Sequence, residues 1–377
     1  MNPQQAVAAL DDAFSGKRPP QRNARTVGVF GNGLPESFLS AMGFAPADAK
    51  TAPEADLSAR APDIEPYVEP FVDDYARIFL HRLFSGRLDD LHAIVFCRDD
   101  AAAFVAYQYA RELVRQAVGP SPAPRLVLWN LVHRDSGPSA AFNARQVDKL
   151  LGDLGADVGA EAFADSLKGA VAEERRRGAA LSAMEALRKA NRPTITGTEA
   201  FTWRNAGRSL AAAEHADLLE SACAAAASRT APPARQRIGL IGSSTDSLAL
   251  MRMIEDHGAL VTDLQPLGDV WPGPLGGDTL DDILRAEATD PFCPRAEPAV
   301  LHRDALVSRC VEDRCDLVVA QLDQNDDSVG WDLPSLDRAL GERGIRLVNL
   351  GFRDHRPDDA WLASASKKMR SVSGALA

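Results

Sequence analysis

Thr26-Val27-Gly28-Val29-Phe30-Gly31-Asn32-Gly33-Leu34-Pro35-Glu36-Ser37-Phe38-Leu39-Ser40-Ala41-Met42-Gly43 is the stretch that decides how the chain is read. Its first five residues are a short apolar run, Gly31-Asn32-Gly33 is a turn, and Glu36 to Met42 carries helical spacing that Gly43 closes. Strand, glycine turn and helix in that order open a βα unit. Two further strands are expected at His92 to Phe96 and Arg125 to Trp129, beside a long helical pattern from Asp100 to Val118. Continuous apolar strands alternating with helices indicate a parallel sheet covered on both faces.

The same order returns downstream. Arg237 to Ile241 reads as a strand, Gly242-Ser243-Ser244 as a turn, and Ser247 to His257 as a helix ending at Gly258. Ala259 to Thr262, Asp316 to Ala320 and Ile345 to Leu350 read as further strands. Between the units, from about Ser139 to Ala227, strand signals vanish and Ala, Leu, Glu and Arg dominate, all strong helix formers. Within that stretch Arg175-Arg176-Arg177 reads as a solvated helix face. The expected class is α/β: two Rossmann-like parallel-sheet domains with a helical module between them. The expected boundaries are a polar lead-in at 1–24, broken by Gly16-Lys17-Arg18-Pro19-Pro20, a first α/β domain at 25–138, the helical module at 139–229, and a second α/β domain at 230–377 entered through Thr230-Ala231-Pro232-Pro233-Ala234. A chain of 377 residues has room for this, since single cores seldom grow past about 250–300 residues.

Composition narrows the function classes. A net charge of −11 argues against a general nucleic-acid binder, because phosphate contacts need a basic face. No apolar run approaches the roughly 18–20 residues of a membrane span, and Met1-Asn2-Pro3-Gln4-Gln5 has no signal-peptide character. Five scattered cysteines (Cys97, Cys223, Cys293, Cys310, Cys315), with no CxxC pair, suit a reducing compartment, so a cytoplasmic location is expected.

The glycines at 28, 31 and 33 do not make a dinucleotide fingerprint, which needs its close pair first, and no convincing second strand ends in an acidic residue about twenty residues on. The turn at Gly31 and Gly33, with the helix start at Glu36, is a weak candidate for holding an anion such as a CoA phosphate; a plain tight turn explains it equally well. No ATP-binding loop, zinc-protease motif or nucleophile elbow is present. Histidines 81, 92, 133, 257 and 302 are far apart and read as structural or exposed. Aspartates are better placed. Asp73-Asp74 opens a helix, while Asp99-Asp100 and Asp326-Asp327 follow strands, where open α/β sheets bind ligands. Helix capping accounts for such aspartates as well.

Taken in order, several segments resemble the 2-hydroxyacyl-CoA dehydratase and benzoyl-CoA reductase family. They are Val27 to Phe30, Pro35 to Leu39, Ala41-Met42-Gly43-Phe44-Ala45-Pro46, Leu91 to Asp100, Ile254 to Ala259, and Pro291-Phe292-Cys293-Pro294 through to Asp316-Leu317-Val318-Val319. Together they span roughly residues 25–355. The resemblance implies two Rossmann-like domains with a helical portion, working as paired subunits on CoA thioesters by radical chemistry. It also implies a [4Fe–4S] cluster held by cysteines and an ATP-dependent activator that donates electrons. The family's three cluster positions fall near Asp73, near Asp99 or Asp100, and near Asp326. Aspartate stands at each, and carboxylates are hard ligands that do not hold a conventional cluster. Cys293 matches a family Cys-Pro that is not a ligand.

Three readings follow. In the first, this chain is a cluster-free subunit of an oxidoreductase or lyase, binding no cofactor firmly, beside a homologous subunit that bears the cluster. The second places a hard divalent metal on Asp73, Asp99 and Asp326. The third is a non-catalytic binding or scaffold protein of the same fold.

Overall fold

The computed structural model describes residues 2–18, 22–23, 25–53, 56–118, 123–156, 158–233, 235–326 and 329–373. The helix α1 (Pro3–Phe14) comes first. The first α/β half then runs β1 (Thr26–Phe30), α2 (Glu36–Ala41), β2 (Ala45–Asp48), α3 (Asp74–Phe84), β3 (Ala93–Cys97), α4 (Ala101–Arg115), β4 (Arg125–Trp129) and α5 (Gly137–Leu154). Three helices follow: α6 (Ala160–Lys189), α7 (Gly197–Ala206) and α8 (Ala212–Ala227). The second half runs β5 (Arg237–Gly242), α9 (Leu248–Glu255), β6 (Ala259–Asp263), α10 (Leu280–Thr289), α11 (Val300–Glu312), β7 (Leu317–Asp323), α12 (Leu333–Gly341), β8 (Arg346–Arg353) and α13 (Asp359–Ser373).

The halves are built alike. Each has a four-stranded sheet, ordered β2-β1-β3-β4 in one and β6-β5-β7-β8 in the other, and every pairing is parallel. The strand order reverses between β1 and β3, and again between β5 and β7. Those are the switch points where a crevice opens beyond the carboxyl ends of the strands. The central strands are apolar because both faces are covered: every residue of β3 and β7 is buried. One apolar cluster runs through both halves, from Phe30, Phe79 and Phe96 to Leu240, Met251 and Val319.

The expectation of two parallel sheets therefore holds. The polar lead-in contains α1, whose Ala6, Leu10 and Ala13 pack with Trp203 and Leu219 of the helical module. The expected break at Pro19 and Pro20, the linker residue Ala234 and Asp327 lie outside the described residues. The helix α5 joins the first sheet to the helical module: its Val147, Leu150 and Leu154 share a core with Val127 and Trp129 of β4 and with Phe163 and Leu167 of α6. In turn α10, from the second half, sets Ile283 and Leu284 into that same core.

A second strand does follow β1, contrary to the expectation. β2 is only four residues long, contains Pro46, and ends at Asp48. Asp48 is taken up by its own turn, accepting from the N–H groups of Lys50 and Thr51 at 3.0 Å each. The arginine run also divides. Arg175 and Arg176 pair at the surface, but Arg177 is fully buried and bonded to Glu36 (2.6 Å) and Glu174 (3.2 Å). A helix that packs against α2 on one side and α8 on the other cannot leave that whole face to solvent. Among the described residues, no helix is long and apolar enough to cross a membrane.

Candidate functional site

Four turns beyond the carboxyl ends of central strands converge on one cavity of about 680 Å³. The first half contributes Asn32 and Gly33 after β1, and Asp99 and Asp100 after β3. The second contributes Gly242 to Ser244 after β5, and Asp323 to Asp326 after β7. Asp73 and Tyr75, from the start of α3, complete the wall on the first side. The four aspartates picked out in the sequence, Asp73, Asp99, Asp100 and Asp326, thus all line one space.

Their local roles differ. Asp73 caps α3, accepting from the N–H groups of Tyr75 (2.8 Å) and Ala76 (3.3 Å). Asp100 caps α4 through the N–H of Ala103 (3.3 Å). Capping therefore explains the position of both, and their place on the cavity wall is additional. Asp99 caps nothing. It lies over the glycine turn, so close that a Cβ at Gly33 would sit 3.0 Å from its Cγ, and a Cβ at Gly31 would sit 3.2 Å from its Oδ1. Gly31, at φ +108°, has a backbone that only glycine adopts without strain. The Oδ1 atom of Asp99 is buried without a hydrogen-bond partner.

Burial raises the carboxyls of both Asp73 and Asp99 to about 7. At Asp73, Lys50 opposes this, while Asp100 and Asp323 add to it. At Asp99, Asp100 adds to it and Lys50 opposes it. Two carboxyls that exchange protons near neutrality, in a crevice, have the properties of general acids and bases.

The glycine turn reaches the cavity only in part. Gly33 lines the cavity, but Gly31 and Glu36 do not. Glu36 is held by Arg177, and the N–H of Ser37 is already taken by Glu174 (3.2 Å), so the start of α2 carries its own carboxylate. Of the residues weakly assigned to a cofactor phosphate, Gly31, Gly33 and Glu36, the structure brings only Gly33 to the cavity wall. Among the described residues, no three His, Cys, Asp or Glu side chains are grouped so as to hold one ion, and Asp73, Asp99 and Asp326 share a cavity without sharing a coordination point.

Residues that the sequence reading passed over are as prominent. Lys50, 2% exposed, forms an ion pair with Asp100 and donates to Ser244 Oγ (2.8 Å), tying the first half to the second. Asn32 does the same through Pro266 O (2.6 Å). Glu287 on α10 is 7% exposed and lines the cavity, and burial, aided by Asp290, Glu174 and Asp99, pushes its carboxyl well above the ordinary range. His133 and His302 also line the wall, bonded at Nδ1 to the carbonyls of Glu287 (3.1 Å) and Pro291 (3.2 Å). A signal for Glu287 was present: it falls on the face of α10 that buries Ile283, Leu284 and Ala288, where a lone acid is out of place.

Thiols are scarce here. Among the described residues only Cys293 lines the cavity. Cys97 is buried in the first core, Cys223 in the helical module, and Cys310 with Cys315 behind the second sheet. Cluster ligation requires several thiolates facing one space. A donor set of carboxyls with one thiol among the described residues does not fit a [4Fe–4S] cluster.

No curated protein matches the chain. A family model does: 2-hydroxyglutaryl-CoA dehydratase, D-component, matches residues 33–362, from inside the glycine turn after β1 to the first part of α13. With most of its length so matched, the chain belongs to the 2-hydroxyglutaryl-CoA dehydratase D-component family.

Proposed function

We propose that this chain is a cluster-free subunit of a complex of the 2-hydroxyacyl-CoA dehydratase and benzoyl-CoA reductase type. It shapes a CoA-thioester site beside a homologous subunit that bears the [4Fe–4S] cluster, and an ATP-dependent activator supplies that subunit with electrons. A D-component is by its family description one component of an enzyme, which supports the assembly. The observation that carries the proposal is the cavity at the carboxyl ends of both sheets, lined by Asp73, Asp99, Asp100 and Asp326 with Cys293 as the one thiol among the described residues. Its volume lies within the ordinary range for a small-molecule site.

In this reading the redox step belongs to the partner and the carboxyls here handle protons. Asp99, with one oxygen free of hydrogen bonds and a pKa of about 7, is placed to hold a proton for the acyl group. The test is reconstitution. This chain, produced with a cluster-bearing homologue and its activator, should co-purify as a complex that turns over an acyl-CoA, and omission of this chain should abolish turnover. Full activity without it would overturn the proposal in favour of a scaffold role.

A further inference from the structure

We infer that the cavity selects acyl groups that carry no second charge, so the thioesters taken by this chain are neutral acyl-CoAs rather than half-thioesters of dicarboxylic acids such as glutaryl-CoA. The inference rests on the CoA-thioester reading above and departs from the substrate in the family's name.

Burial orders the cavity into an interior and a rim. Glu287 is 7% exposed, and its carboxyl accepts no hydrogen bond from a described side chain or N–H group. Asp99 adds an oxygen without a partner, and Asp73 and Asp290 add two more carboxyls to the wall. Facing them is an apolar surface from the second half, made by Ile241, Leu264, Val270, Phe292, Leu306 and Leu336. At pH 7.5 an incoming carboxylate would meet the largely ionised Asp99 carboxyl on one side and hydrocarbon on the other, with neutral polar groups such as Asn32, Ser243 and Asn325 but no unpaired buried cation among the described residues to balance its charge.

A cation could still rescue it, but none is available inside. Lys50 is paired with Asp100, and Arg303 with Asp304. Burial lowers the pKa of both His133 and His302, which keeps them neutral at neutral pH. That leaves Arg295, exposed at the rim, for which no ion pair with a described residue is formed. A guanidinium there suits the phosphates of CoA and directs the acyl end inward. Burying a carboxylate without a cation is costly, whereas an uncharged chain gains from the apolar wall.

The test is calorimetric titration of the full chain at pH 7.5 with hexanoyl-CoA, glutaryl-CoA and free CoA. Hexanoyl-CoA should bind at least ten-fold tighter than glutaryl-CoA. The Asp99→Asn variant, checked for native circular dichroism, should narrow that ratio at least three-fold. Equal or tighter binding of glutaryl-CoA to the unmodified chain overturns the inference but leaves the thioester site standing. An unchanged ratio in the variant overturns the role given to the carboxyl wall. Absence of binding by all three ligands overturns the thioester reading itself.

Discussion

Asp73 shows how a residue can serve both the fold and the site. Its carboxyl caps α3, yet burial holds its pKa near 7. The folded state therefore binds this proton more tightly than the unfolded chain, where the value is about 3.8. Stability from this group is complete below pH 4 and lost as pH rises through 7. Asparagine also caps helices, so Asp73→Asn keeps the cap and removes the cost of ionisation. Thermal unfolding should show the variant more stable than the parent by on the order of 1–3 kcal/mol at pH 8, with the gain vanishing near pH 4. A gain independent of pH would contradict this account. Asp99→Asn tests the proton role: in the assembled complex kcat should fall about 100-fold with the partner's iron content unchanged. The aspartates were legible in the sequence because they follow strands or open helices, positions that a parallel-sheet reading already marks. Lys50 was not, because it follows a strand too short to recognise, and Arg177 was hidden inside a run that looks like solvent-facing charge.

Among the elements, the contact of α6 with α2 depends on one buried cation. Arg177 neutralises Glu36 and Glu174, and Glu174 in turn accepts from Ser37 at the start of α2. Arg177→Met would leave two carboxylates without their partner and should cost about 3–5 kcal/mol in urea unfolding. A loss below 1 kcal/mol would mean that water replaces the guanidinium. The central strands and the helices that follow them were readable from continuous apolar runs and glycine turns: β1 and β4 match their expected bounds, and β5 matches within a residue. What failed was local signal competing with tertiary packing. α1 shows only three core residues, Ala6, Leu10 and Ala13, so its helix is decided by α7 and α8, which it packs against. α5 has the composition of the helical module but packs back on β4, the strand it directly follows.

In the whole molecule, two sheets of the same strand order face their switch points toward one cavity, and a few bonds set their spacing. Lys50 reaches from the first half to Ser244 in the second. Lys50→Met removes that bond and strands Asp100, so the variant should unfold with a midpoint lowered by several degrees and bind acyl-CoA at least ten-fold more weakly. Unchanged binding would show that the halves hold their places without it. The paired architecture was legible because the second half repeats the order of the first; the cavity's acid lining from α10 was marked only by the lone Glu287 on that helix's apolar face, since the lining arises where one half crosses onto the other. The central claim is that this site works without a cluster of its own. Iron and acid-labile sulfide should be measured per chain on protein purified alone and without oxygen. The account predicts values near zero. About four of each per chain, the content of one [4Fe–4S] cluster, would contradict it.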